Sequence, residues 1–231
     1  LATSKPFFNI TLLTSLLCAS AFGFMTWIQT KFNLEKMTVA HKLMEFGLPV
    51  ILILTLYFSF YLEVDYYWNN ALEASKVQIS ETDGYYPYFN YNLRDLGITW
   101  KIFYTMLFVS LFSLLNSFKI KNKVLGIVAT CSSLLVALEF LSIGLYTLSE
   151  LRENFLSQEL SKYFEIGDYN LYIRYIGFAF FAFLFFAIRT LVRQDFMKIN
   201  YKMPFEIVMH ITIVWISSSE LLNWMDLSGS E

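Results

Sequence analysis

Apolar residues in this chain come in long blocks, with the polar residues gathered in the gaps between them. A bilayer hydrocarbon core of about 30 Å takes about 20 helical residues at about 1.5 Å each. Six windows approach or exceed that length: Phe7 to Ile28, Phe46 to Leu62, Thr99 to Phe118, Val124 to Leu148, Tyr169 to Leu191 and Phe205 to Trp224. The second is the shortest, and its start can be drawn nearer Leu43. Pro49 and Pro204 fall at the beginnings of their windows, where a first helical turn tolerates proline. The pattern predicts an all-α polytopic transmembrane bundle of about six membrane-spanning helices, forming a single domain over residues 1–231.

The loops between windows alternate in charge. One set carries Lys31, Lys36 and Lys42, then Lys119, Lys121 and Lys123, then Arg189, Arg193, Lys198 and Lys202. The other set is long and acidic: Glu63 to Ile98 holds Glu63, Asp65, Glu73, Glu81, Asp83 and Asp95, and Ser149 to Asp168 is likewise rich in acids. Lysine and arginine concentrate in short cytoplasmic loops. The alternation therefore puts the basic loops in the cytoplasm and both ends of the sequence on the non-cytoplasmic side. The absence of a starting Met and the ending Ser228-Gly229-Ser230-Glu231 read as a fragment of a longer multi-helix protein.

Within the acidic loops, Glu63 to Asn70 reads as a continuation of the second helix, and Thr82 to Tyr88 as a turn punctuated by aromatics. Leu151, Phe155, Leu156, Leu160 and Phe164 fall near one face of an amphipathic helix over Leu148 to Phe164, suited to the membrane surface. The even-numbered helices each end on Glu followed by an aliphatic residue: Glu63-Val64, Glu150-Leu151 and Glu220-Leu221. A helical hairpin repeated three times would produce this, and so would a preference for acids at one boundary.

Composition narrows the chemistry. Charged residues are only 16% of the 231, and aromatics reach 19%. The net charge of −2 gives no basic face for nucleic acid. Cys18 and Cys131 each lie inside an apolar block and read as small packing residues, with no spacing for a disulfide or a metal. No phosphate-binding glycine loop, HExxH, nucleophile elbow or paired CxxC occurs, so no cofactor is expected.

The candidate residues are then the ionisable groups in or beside the crossings, which face a bundle interior or a cavity because charge at depth is costly. Glu139 is the deepest, about 13 Å from the acidic end of the fourth window, and should turn toward other helices. At helical spacing it lines up with Ser132, Ser142, Tyr146 and Glu150. Arg174, about a turn and a half into the fifth window, can pair with Glu220 on the next helix or with Glu150 and Glu139 on the preceding one. These four form the candidate polar or ion-pair site. Secondary candidates are Glu63 and Asp65 beyond the second window, and Glu206 and His210. The last two stand four apart, a spacing that can relay protons or bind metal. No third ligand accompanies them, so no metal is expected.

The segments Leu148 to Glu153, Ile173 to Ile176 and Trp215 to Leu227 resemble a bacterial family of large, predicted membrane proteins whose domain has no assigned function. The resemblance implies a bacterial inner-membrane setting and a long array of helices. It places Glu150, Arg174 and Glu220 in recognisable segments and brings no catalytic residue. The expected partners are the lipid bilayer and further helices of the same chain or other subunits. Three functions fit: a transporter-like or envelope-assembly component; a membrane-embedded enzyme acting at the outer leaflet on a lipid-linked sugar or similar substrate; and a structural scaffold.

Overall fold

The computed structural model describes residues 9–31, 39–81, 84–198 and 202–229. Six of its helices are long and apolar enough to cross a membrane, so the protein is an all-α, multi-pass membrane protein. The chain divides into two compact units, Leu1–Tyr67 and Trp68–Glu231.

The first unit contains α1 (Ile10–Lys31) and most of α2 (Val39–Ala74). Asn9 precedes α1 and caps it, its Oδ1 accepting from the Leu12 amide at 2.7 Å. Along α1 the hydroxyls of Thr14, Ser15, Ser20 and Thr26 bond to carbonyls three or four residues back. Each polar group is thereby satisfied inside the helix, as hydrocarbon surroundings require.

At 36 residues α2 greatly exceeds its apolar window. Glu63 to Asn70 does continue it, because no glycine or proline interrupts the chain between Val50 and Ala74. The placement of Pro49 in a first turn needs correction: α2 starts ten residues earlier, so the proline lies inside the helix. There it removes one backbone donor, a loss that membrane helices accommodate when neighbouring groups compensate.

In the second unit the last turns of α2 lead into an antiparallel hairpin of β1 (Val77–Glu81) and β2 (Gly84–Tyr88), in which Val77 pairs with Tyr88 and Glu81 with Gly84. Thr82 and Asp83 lie outside the described residues. The expected aromatic turn is thus the return of a two-stranded ribbon, whose base is tied by the Asn90 amide donating to Ser75 Oγ at 3.0 Å.

Helix α3 (Tyr91–Leu115) starts eight residues before the apolar window, capped by Asn90, and runs into a π turn at Asn116–Ile120. Asn116 is fully buried and reads both edges of Asn122: its amide donates to the Asn122 carbonyl and its Oδ1 accepts the Asn122 amide, each at 3.1 Å. Asn122 then caps α4 (Lys123–Glu139) through Val124 and Leu125.

A second π turn, Phe140–Gly144, joins α4 to α5 (Leu145–Ser157) as one continuous rod. The amphipathic stretch beginning at Leu148 is therefore not a separate surface helix. Leu148 and Leu151 are buried in the core with α3 and α6, so its apolar face serves protein packing. Leu160 and its surroundings follow as a short 3₁₀ turn.

Helix α6 (Tyr169–Val192) lies against α3, α4 and α5, and α7 (Lys202–Ser228) touches α5, α6 and the second π turn. Pro204 is in the first turn of α7, as expected. Phe103, Met106, Phe140, Ile173, Phe181 and Leu184 form the centre of the core. Phe140 stacks on Phe181 with ring centroids 4.8 Å apart, and Phe103 on Phe180 at 5.3 Å. Gly177 admits these rings: a Cβ there would meet Phe103 Cζ at 2.8 Å and Phe140 Cε2 at 3.2 Å.

Candidate functional site

Of the candidate acids and cations, Arg174 and Glu220 meet where α7 finishes and α6 begins. Arg174 is 3% exposed on α6. Its Nε donates to Glu220 Oε2 at 2.8 Å, and its Nη2 donates to Ser219 Oγ at 2.8 Å and to the Ser219 carbonyl at 3.1 Å. Its guanidinium also lies over the Phe178 ring. The other oxygen of Glu220 accepts from the Tyr175 hydroxyl at 3.2 Å and lies 3.5 Å from the Asn223 amide. The pairing expected from helix heights is present.

A second arginine extends the seam. Arg152, on α5, donates through Nη1 to Asn223 Oδ1 at 3.3 Å and pairs through Nη2 with Asp226 at 2.6 Å. Glu220, Asn223 and Asp226 are spaced three apart, so one face of α7 presents two acids with an amide between them. Two arginines from two different helices grip that face. The grip leaves Arg152 Nε and Arg174 Nη1 buried without an acceptor among the described residues. Each guanidinium is thus held by its charge partner and not by full hydrogen bonding.

Beside this seam Asn92 of α3 gathers two further amides, accepting from Asn154 of α5 at 3.0 Å and from Asn170 of α6 at 3.4 Å. Asn170 also donates to the Leu151 carbonyl at 3.1 Å. The buried Asn92 and Asn170 and the half-buried Asn154 thus tie the ends of α3, α5 and α6 together.

Glu150 is not part of the Arg174 cluster. Its titratable neighbours are Tyr146, one turn back, and the buried Asp95 of α3. Asp95 itself pairs with the adjacent, largely exposed Arg94 at 3.3 Å.

Glu139 departs from expectation more sharply. It is exposed on the outside of α4, and none of the contacts among the described residues brings it a cation or a donor. Two features of the fold put it there. Val136, Ala137 and Phe140 take the core-facing positions around it. The π turn then inserts an additional residue, which rotates the stripe by about 100°. Glu139 therefore does not share a face with Ser142 and Tyr146.

Glu206 and His210 are both exposed, and the imidazole Nδ1 reaches the Glu206 backbone carbonyl at 2.6 Å, not its carboxylate. Among the described residues no group of three His, Cys, Asp or Glu side chains could hold a metal ion. Cys18 and Cys131 are free and exposed on their helices, and neither serves as core packing.

In the first unit both Glu63 oxygens accept from Asn9 Nδ2, at 2.7 and 2.8 Å, while Asp65 is half-buried two residues further on, towards the opposite side of the helix. In the α1–α2 and α6–α7 hairpins a polar residue of the first helix or its cap meets a Glu of the second, Asn9 with Glu63 and Arg174 with Glu220, although α2 runs eleven residues beyond Glu63. The aliphatic partners differ: Leu151 is buried and Leu221 is 63% exposed.

The open space lies elsewhere. A groove of about 760 Å³ runs between the α4–α5 rod and α7, lined by Ser142, Tyr146, Ser149, His210, Trp215 and Ser219 among others. A smaller cavity of about 250 Å³ lies among Ser133, Ala137, Phe185, Pro204 and Phe205. Glu139, Glu150, Arg174 and Glu220 line neither. Of its polar groups, Ser142 and Ser149 of the groove bond to carbonyls of their own helix and Ser219 Oγ accepts from Arg174, while Tyr146 and His210 are its titratable side chains.

Arg152, Asn223 and Asp226 were not singled out from sequence, although the spacing of three on α7 was available as a signal. Asn92, Asn154 and Asn170 carry no such pattern. Comparison with protein-family models, curated proteins and solved structures returns no match for this chain.

Proposed function

We propose that this is a non-enzymatic component of a bacterial cytoplasmic membrane, serving envelope assembly by binding partners within the bilayer. One observation carries the reading. The buried arginines at the end of the bundle close on acids of α7, while the large groove is apolar in character and bounded by helices of membrane-spanning length. A protein that moves a polar solute needs charges lining a cavity; here the charges secure one helix to its neighbours. The bacterial setting belongs to the same proposal and rests on the resemblance of the three segments above. The sidedness rests on the alternation of basic and acidic loops.

The test is a charge reversal in the native host. A strain lacking the gene is scored for sensitivity to detergent and to cell-wall inhibitors, then complemented. The exchanged pair Arg174→Glu with Glu220→Arg should restore growth nearly as well as the original, because a clasp requires opposite charges and not a given order. Failure of the exchanged protein at normal abundance would mean that the individual charges are read by a substrate, and the proposal would fall. That outcome favours the enzyme acting on a lipid-linked substrate, for which Tyr146 and Ser219 on the groove wall, beside Glu150 and Glu220, are the supporting feature.

A further inference from the structure

Glu139 poses a problem that the clasp does not solve. It follows fifteen residues of apolar helix from Val124 and precedes nine more to Leu148, so it lies well inside the hydrocarbon layer. It is exposed, and its neighbours along that side of α4 are Cys131 and Leu135, also exposed. A carboxylate presented to acyl chains is strongly disfavoured, and neutralising it still leaves polar oxygens without donors. Lipid tails can satisfy neither form. Water is excluded at that depth unless a cavity admits it, and Glu139 lines neither the 760 Å³ groove nor the 250 Å³ cavity.

We propose that the α4 face bearing Cys131, Leu135 and Glu139 docks a further transmembrane helix, whose Lys or Arg meets Glu139 at this depth. The inference rests on the reading of the protein as one that binds partners within the bilayer. Charge complementarity selects the occupant. A basic side chain on a helix supplies both the countercharge and the donors, and the exposed apolar residues on either side supply the packing surface. The π turn directly after Glu139 fits this role. It turns the carboxylate away from the α7 groove and onto a separate docking face.

A photoreactive phenylalanine at Leu135, one turn from Glu139, tests this in the full chain within native membranes. Cross-linked peptides are mapped by mass spectrometry. The expected adduct falls on one helix carrying Lys or Arg within a turn of the cross-linked residue. Its yield should fall about tenfold in Glu139→Lys, and recover when the partner's basic residue is changed to Glu. Glu139→Leu guards against failure to insert, because it is more apolar than the original; it too should lower the yield at normal protein abundance. Adducts to lipid alone, a cross-linked helix without a basic residue, or an unchanged yield in both variants would overturn the proposal. None of those results touches the envelope-assembly reading, which stands or falls on the exchanged Arg174–Glu220 pair.

Discussion

Arg174 of α6 and Glu220 of α7 meet at 2.8 Å with the arginine side chain 3% exposed and the glutamate 22% exposed. That asymmetry decides what each truncation does. Glu220→Ala leaves a buried cation whose remaining partners are the hydroxyl and carbonyl of Ser219. Arg174→Ala leaves a carboxylate that keeps Tyr175 and Asn223 and has access to solvent. Breaking a buried pair costs about 3–5 kcal/mol. The glutamate variant should reach that range and the arginine variant fall below it. The double variant should lose at least about 1 kcal/mol less than the sum. Unfolding in lipid nanodiscs measures all three, and simple additivity would show the residues to be uncoupled.

This pair was legible because consecutive antiparallel helices joined by a short loop lie side by side, and both residues sit at similar distances from their helix ends. Arg152–Asp226 was not, because its helices are not consecutive and the end of α5 reads as a surface helix when Leu151 is taken to face lipid. A uniform period of 3.6 residues wrongly puts Glu139 on the face of Ser142 and Tyr146, because the helix widens into a π turn at Phe140–Gly144. Nothing in the residue pattern marks that insertion. The β-ribbon had a signal in Asp83-Gly84 between two short runs of alternating character. The six crossings were legible because hydrocarbon demands long uninterrupted apolar helices, whereas helix ends were not, since backbone hydrogen bonding continues past the last apolar residue.

Gly177 supports a packing prediction. Alanine has the higher helix propensity, by about 1 kcal/mol, but its Cβ would meet Phe103 Cζ at 2.8 Å and Phe140 Cε2 at 3.2 Å. Both rings are buried, at 1% and 0% exposure, so neither can swing away. Overpacking of this kind costs about 1–3 kcal/mol. Gly177→Ala should lower the unfolding temperature, and Phe103→Leu in that background should recover part of the loss. A stabilised Gly177→Ala would show that the rings give way freely.

The proposed sidedness is tested at two exposed loop positions. In a background where Cys18 and Cys131 are serine, Asn122→Cys should resist an impermeant thiol reagent in intact cells, and Gly167→Cys should react. Reversal of that pattern would invert the orientation without altering the bundle.

Arg152 and Asp226 meet at 2.6 Å, closer than Arg174 and Glu220, yet their side chains are 11% and 48% exposed. Distance alone would predict equal losses from removing either partner, whereas solvation predicts unequal ones. Without Arg152, Asp226 remains half in water and needs no countercharge, so Arg152→Met, which keeps an unbranched apolar stem in the same place, should cost about 1 kcal/mol or less. Without Asp226, the guanidinium stays buried with Asn223 as its remaining partner and Nε already unsatisfied. An uncompensated buried cation costs several kcal/mol before relaxation, so Asp226→Ala should cost about 2–3 kcal/mol. In the double variant Arg152→Met with Asp226→Ala, the charge that made the second loss large is gone, and stability should return close to that of Arg152→Met alone. Thermal unfolding in nanodiscs gives the order directly. If Arg152→Met proves the more damaging, the arginine acts through Asn223 and its packed stem, and Asp226 is a surface acid with little hold on α7.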